Sequence, residues 1–179
     1  MTGKGVAITS YEPRGSLKDA VDLAVVPVGE LHAGRGDPRR IVYDSLTMCA
    51  FLRREIQAIF GFDTFARDML KATCGWDVSQ EEWLNMIQRG SLMERCCCIR
   101  EGYLPIRDDV LPDRFFEETI YNKYNEPKVL DHDEFMKTKE EKYLSFGLNN
   151  QGIPTKESLE KLGMKFVIPE LEEIIAQWD

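Results

Sequence analysis

From Asp44 to Cys49 the chain reads Asp-Ser-Leu-Thr-Met-Cys, placing a carboxylate, a hydroxyl and a thiol within six residues. An aspartate at a helix start accepts hydrogen bonds from free backbone N–H groups, and a thiol in the first turns feels the positive end of the helix dipole, which favours thiolate. Thiolate is the form that binds a metal or an iron–sulfur cluster. The plainer reading is that Asp44 caps the helix and Cys49 is a small core residue. A second group is Glu-Leu-His-Ala-Gly-Arg-Gly at residues 30–36, where His32 sits among glycines near Glu30. A histidine on irregular backbone is a candidate proton carrier; a surface histidine satisfied locally is the alternative. His132, flanked by Asp131 and Asp133, reads as part of a solvated helix start.

The elements that must position these groups are helical. Leu17, Ala20, Val21 and Ala24 share a face at helical spacing, predicting a helix over 16–26, while the rest of the first forty residues is punctuated by Gly and Pro. From Asp44 a stripe of Leu46, Cys49, Ala50, Leu52, Arg53, Ile56 and Ile59 predicts a helix that begins at an Asp44 or Ser45 cap and stops at Gly61. A second helix follows Asp63 or Thr64 and ends before Gly75; a third opens on the capping box Ser79-x-x-Glu82 and continues, past Gly90, to Ile99. These are expected to form three antiparallel helices. Further on, "LPDRFFEE" reads as a turn and a short helix, "NKYNEPKV" as a polar loop, and "LDHDEFMKTKEEKYLSFGL" as a helix. Thr155 caps another ended by Gly163, and Pro169 opens the last. No alternating pattern is long enough for a sheet. The expected class is all-α: an irregular, glycine-rich segment lining the site over 1–43, then a multi-helix domain over 44–179.

Composition narrows the partners. The 179 residues carry 31 acids against 23 bases, net −8, so a phosphate backbone would be repelled and nucleic acid is a poor partner. No window reaches the roughly 18 apolar residues of a membrane helix, and the N-terminus lacks a secretory signal core, so a cytoplasmic protein with no membrane association is expected. Five cysteines, Cys49, Cys74, Cys96, Cys97 and Cys98, form no Cys-x-x-Cys pair, which argues for thiols. The triplet suggests a redox or metal cluster, but successive side chains on a helix point about 100° apart. Cys96 and Ile99 facing one core is the favoured reading. Phosphate-binding loops, dinucleotide glycine fingerprints, His-Glu-x-x-His and Gly-x-Ser-x-Gly are all absent.

The order of segments is that of a known family. "YEPRG", "ELHAGRG", "YDSLTMCAF", "GWDVSQEEW", "MERCCCIREGYLPIRDDVLPDRFFEE" and "GIPTKESLEKLGM" resemble the C-terminal helical domain of the aldehyde:ferredoxin oxidoreductases, tungsten enzymes, over nearly the whole chain. The resemblance implies tungsten, or in relatives molybdenum, held between two pterins beside a [4Fe–4S] cluster. It implies a role for the family's Asp-x-x-Gly-Leu-Cys motif: Asp44 bonding a pterin, Met48 offering backbone contact, and Cys49 ligating the cluster. His32 falls where the family has a histidine near the metal that serves proton transfer, with Arg35 near a following basic residue.

Departures accompany the match. Thr47 and Met48 replace the motif's glycine and leucine, and the stretch from His32 to Asp44 is shorter than is usual in the family. The family's other three cluster cysteines and its N-terminal pterin-cradling domain have no counterpart here. The resemblance therefore implies the C-terminal part of an enzyme that oxidises aldehydes to carboxylic acids and passes electrons to ferredoxin, inactive alone, cut from a longer protein or made by a split gene. Its partner would be the N-terminal domain or an upstream subunit, and a homo-oligomer is allowed. Two alternatives predict different behaviour: a non-catalytic helical domain that packs on a partner and binds no cofactor, and a thiol module in which Cys96–Cys98 converge with Cys49 or Cys74.

Overall fold

A computed structural model of the chain describes residues 13–25, 41, 45–49 and 53–178. Nine α-helices are described, with short 3-10 turns at Pro13–Gly15 and Lys165–Val167: α1 (Leu17–Val25), α2 (Arg53–Ile59), α3 (Phe62–Cys74), α4 (Gln80–Arg100), α5 (Pro105–Asp108), α6 (Arg114–Glu117), α7 (His132–Ser145), α8 (Lys156–Lys161) and α9 (Ile168–Ile175). The expected helical class holds. The one addition among the described residues is a hairpin of two-residue strands, β1 (Ile120–Tyr121) and β2 (Pro127–Lys128), antiparallel with Ile120 opposite Lys128. It forms in the stretch read as a polar loop because Asn122 Oδ1 accepts from the amides of Tyr124 and Glu126 and Asn125 takes a left-handed φ of 59°. No described helix is long and apolar enough to cross a membrane.

Local signals set most helix ends. The capping box is reciprocal: Ser79 N donates to Glu82 Oε2 at 2.9 Å and Glu82 N to Ser79 Oγ at 3.2 Å, which holds the Glu82 carboxyl below its usual range. Gly75, at φ 69°, ends α3, and Asp131 and Thr155 cap α7 and α8 through the amides of Glu134 and Ser158.

One expectation fails. No helix runs on from Asp44 through Cys49, because Thr47 has φ 53° and a left-handed residue cannot lie inside a right-handed helix. Helical backbone resumes in α2, so Cys49 stands on non-helical backbone and not in a helix's first turns.

Contacts divide the chain into two units: residues 37–91, and residues 1–36 with 92–179. This differs from the composition-based division at 43/44, because α1 packs on α7 while Ile41 belongs with the middle of the chain. The smaller unit has a core of Phe62, Ala66, Leu70, Val78, Trp83 and Ile87, against which Ile41, Leu46, Met48, Ile56 and Met86 pack. The larger unit has its own core, including Ala20, Val21, Leu92, Cys96, Ile99, Phe115, Phe135, Tyr143, Leu159 and Met164.

Within the larger core lies a charged centre. Asp109 is fully buried and its carboxylate accepts from both Arg95 terminal nitrogens, Nη1 at 3.1 Å, from Tyr103 Oη, and from Tyr143 Oη at 2.7 Å. Arg95 also donates to the carbonyls of Gly152 and Val25, at 3.0 and 3.3 Å, and Lys139 donates to the Asp109 carbonyl. Burial lowers the guanidinium's affinity for its proton, but the Asp109 bonds and charge outweigh it and raise the Arg95 pKa. Burial, then the Asp109 charge, hold both tyrosine hydroxyls well above their ordinary value. Asp22 forms a smaller centre: Lys18 donates to one oxygen at 2.6 Å, while Lys142 sits 2.7 Å from the other as an ion pair outside hydrogen-bonding direction.

Candidate functional site

The residues singled out for chemistry divide sharply by what the structure describes. His32, Arg35 and Asp44 lie outside the described residues. Met48 and Cys49 lie within the smaller unit. Met48 is half-buried against the small core, and Cys49, the next residue along non-helical backbone, is exposed. The first side chain anchors the segment and the second is free to meet a ligand.

Three further contacts seat this segment. Ser45 Oγ donates to the Ile41 carbonyl at 2.6 Å, and Thr47 Oγ1 to the Leu46 carbonyl at 2.7 Å. Ile41 lies against Gly90 of α4 so closely that a Cβ on the glycine would come 2.8 Å from Ile41 Cγ1 and 3.1 Å from Cγ2. Sequence reading noted Gly90 only as an interruption in an apolar stripe, and that interruption was the available signal. In the same core Trp83, wholly buried, leaves its Nε1–H without a hydrogen-bond partner among the described residues. An unmet buried donor costs about 1–3 kcal/mol, and nothing in the sequence announced it.

The remaining thiols do not build a site. Cys96 is buried, and that burial, with the neighbouring Cys97, pushes its pKa up to about 11, the behaviour of a core thiol and not of a ligand. This agrees with the packing reading of the triplet. Cys97 and Cys98 are half-buried and Cys74 is exposed. Among the described residues no three His, Cys, Asp or Glu side chains are placed to hold a metal ion, so the thiol-module alternative finds no support. His132 opens α7 with its ring edge-on to Phe116 at 5.2 Å, as a helix-start residue.

Of the groups that the resemblance implies, a four-iron cluster needs four ligands. The described residues fit one corner of such a site: a single exposed thiol, outside any helix, fixed by anchored neighbours. Left-handed backbone at Thr47 is also what a glycine at that place would adopt without strain.

The comparisons with known proteins concern the family. The profile of the family described as aldehyde ferredoxin oxidoreductase, domains 2 and 3, matches residues 34–164. The chain is 28% identical to the tungsten-containing aldehyde ferredoxin oxidoreductase of Pyrococcus furiosus, covering 92% of this chain and 31% of that protein. Identity to the corresponding Pyrococcus abyssi enzyme is 32%, over 88% of this chain and 30% of the relative. A more distant relative, 25% identical over 90% of this chain, is the WOR-like subunit of an aliphatic sulfonate oxidoreductase, also from P. furiosus. The chain thus spans under a third of the length of these relatives. With matching segments in order and a helical fold that follows them, the chain belongs to the aldehyde ferredoxin oxidoreductase family, in the region of its domains 2 and 3.

Proposed function

We propose that this chain is the C-terminal part of a tungsten–pterin oxidoreductase that oxidises aldehydes to carboxylic acids and delivers the electrons through a [4Fe–4S] cluster to ferredoxin. The observation that supports the reading is Cys49: an exposed thiol held by an anchored segment, which the sequence resemblance matches to the family's cluster cysteine. Aldehyde plus water gives acid, two protons and two electrons, so the site needs an oxygen-transfer centre, a proton acceptor and an electron exit. The bound tungsten–pterin group, or a molybdenum one, supplies the oxygen-transfer and redox chemistry.

This chain's residues take the other roles. Cys49 Sγ, as thiolate, ligates one iron. Asp44 accepts hydrogen bonds from pterin N–H groups, and the Met48 backbone adds a contact. His32 takes up a released proton, with Arg35 holding negative charge nearby. The other cluster ligands come from a partner domain or upstream subunit.

The test is metal analysis with a visible spectrum on anaerobically purified chain, alone and produced together with the protein encoded directly upstream. Iron and tungsten are expected with the upstream product, and Cys49→Ser should remove the iron. If neither preparation holds metal, the enzymatic reading falls. A helical domain that packs on a partner without cofactor then takes its place.

A further inference from the structure

We propose that Gly90 is a positioning residue for Cys49: by lacking a Cβ it lets Ile41 seat against α4, and Ile41 fixes the segment that presents the thiol. As a role, this rests on the reading of Cys49 as an iron ligand.

A glycine in the interior of a 21-residue helix weakens that helix by about 1 kcal/mol relative to alanine, so its place asks for a reason. The reason is contact. The atoms that a Cβ would meet are Cγ1 at 2.8 Å, Cγ2 at 3.1 Å and Cβ itself at 3.5 Å, all from Ile41. These are branch atoms next to the backbone, not the tip of a flexible chain. Turning χ1 exchanges one branch for another, so a methyl on residue 90 can be accommodated only by moving the Ile41 backbone.

The described contacts of Ile41 run toward the thiol. The Ile41 carbonyl accepts the Ser45 hydroxyl, and Leu46 and Met48 pack into the same small core as Ile41. The left-handed turn at Thr47 and then Cys49 follow with no helix to absorb a shift. Displacement at Ile41 is therefore passed along residues 45–49 to the one exposed thiol of the segment.

The experiment compares Gly90→Ala with the wild-type chain by hydrogen exchange, and by iron content when each is produced with the upstream protein. In Gly90→Ala the amides of residues 45–49 should exchange about tenfold faster while those of α3 keep their rates; iron affinity should fall by about tenfold, the usual effect of losing a group that orients a metal ligand. Adding Ile41→Ala removes both offending carbons and should restore exchange and iron. Adding Ile41→Val, which keeps both, should not. Should Gly90→Ala fail to fold, Ile41→Phe presses the same contact from the other side and should show the same local loss.

Unchanged exchange at 45–49, loss spread equally over α3, or rescue by valine as well as alanine would each overturn the proposal. Iron absent from the wild-type complex would instead count against the enzymatic reading, and the exchange arm would still decide whether Gly90 holds the segment.

Discussion

The Asp109 centre and the Cys49 segment manage polar groups in opposite ways. Around Asp109 a carboxylate, a guanidinium, an ammonium and the Tyr143 phenol are buried, the Tyr103 phenol is half-buried, and each is bonded, several more than once. Around Cys49 the reactive group faces solvent and its support is a methionine, a serine bond and one glycine contact. The first arrangement holds a fold, since one missing partner leaves a charge stranded in low dielectric. The second leaves a thiol open to a ligand, since a thiol already bonded within the chain would be of no use to iron.

The contrast can be broken at its stronger end first. Asp109→Ala strands Arg95 and should destabilise the larger unit by about 3–5 kcal/mol in urea unfolding. If exchange protection in α3 falls equally, the two regions are one cooperative structure and the contrast between them is lost. Gly152 has φ 77°, and a Cβ there would meet Arg95 Nη2 and Pro105 Cβ at 2.8 Å and Tyr143 Cζ at 2.9 Å. Gly152→Ala should thus cost about 2–3 kcal/mol in the same assay, through strain and overpacking together.

A third measurement uses pH. Tyr103 and Tyr143 have raised pKa values, so above their ordinary value of about 10 the unfolded chain releases protons that the folded chain keeps. Stability must then fall as pH rises. Lys139, whose pKa burial lowers, acts in the opposite sense below about 10.5, so the fall is read above that pH. It should approach about 2.7 kcal/mol per pH unit for the pair, and Tyr143→Phe should halve it. The smallest effect is expected at the weaker end. Thr47→Gly relieves the left-handed strain but gains chain entropy on unfolding, for a net stabilisation of about 0.5 kcal/mol visible as a small shift in the urea midpoint. A loss of stability there would mean that the Thr47 hydroxyl, and not the backbone angle, fixes the turn.

Much of the fold was legible because its signals are local. Ser79 and Glu82, Gly75, Thr155 and Gly163 each mark a helix end through a bond or angle within a few residues, and each does so in the structure. The stripe from Leu46 to Ile59 misled because periodicity records which residues want burial and not whether the backbone between them is continuous. Leu46 and Met48 are indeed packed, but on either side of a left-handed residue. The Asp109 centre was illegible for another reason: its partners are chosen by tertiary contact, which no local pattern around Asp109 records. In the candidate site, the reading of Cys96 as a packed thiol holds, whereas Cys49, most plainly read as a small core residue in a helical stripe, is exposed, and no sign in the sequence showed that Ile41 and Gly90 meet.

The division into a continuous unit and a split one bears on the order in which the chain folds. Residues 37–91 form one continuous stretch, in which Ile41 and Gly90 meet across 49 residues, whereas the bonds of Arg95 reach 57 residues to Gly152 and 70 to Val25. Closing such loops is slow, because their entropy is lost before any contact rewards it. The smaller unit is thus expected to acquire protected amides first, detectable in α3 by pulsed exchange during refolding, with Asp109 and its donors assembling last. A protein that follows this order carries its thiol-bearing segment into place while the most polar part of its interior is still wet.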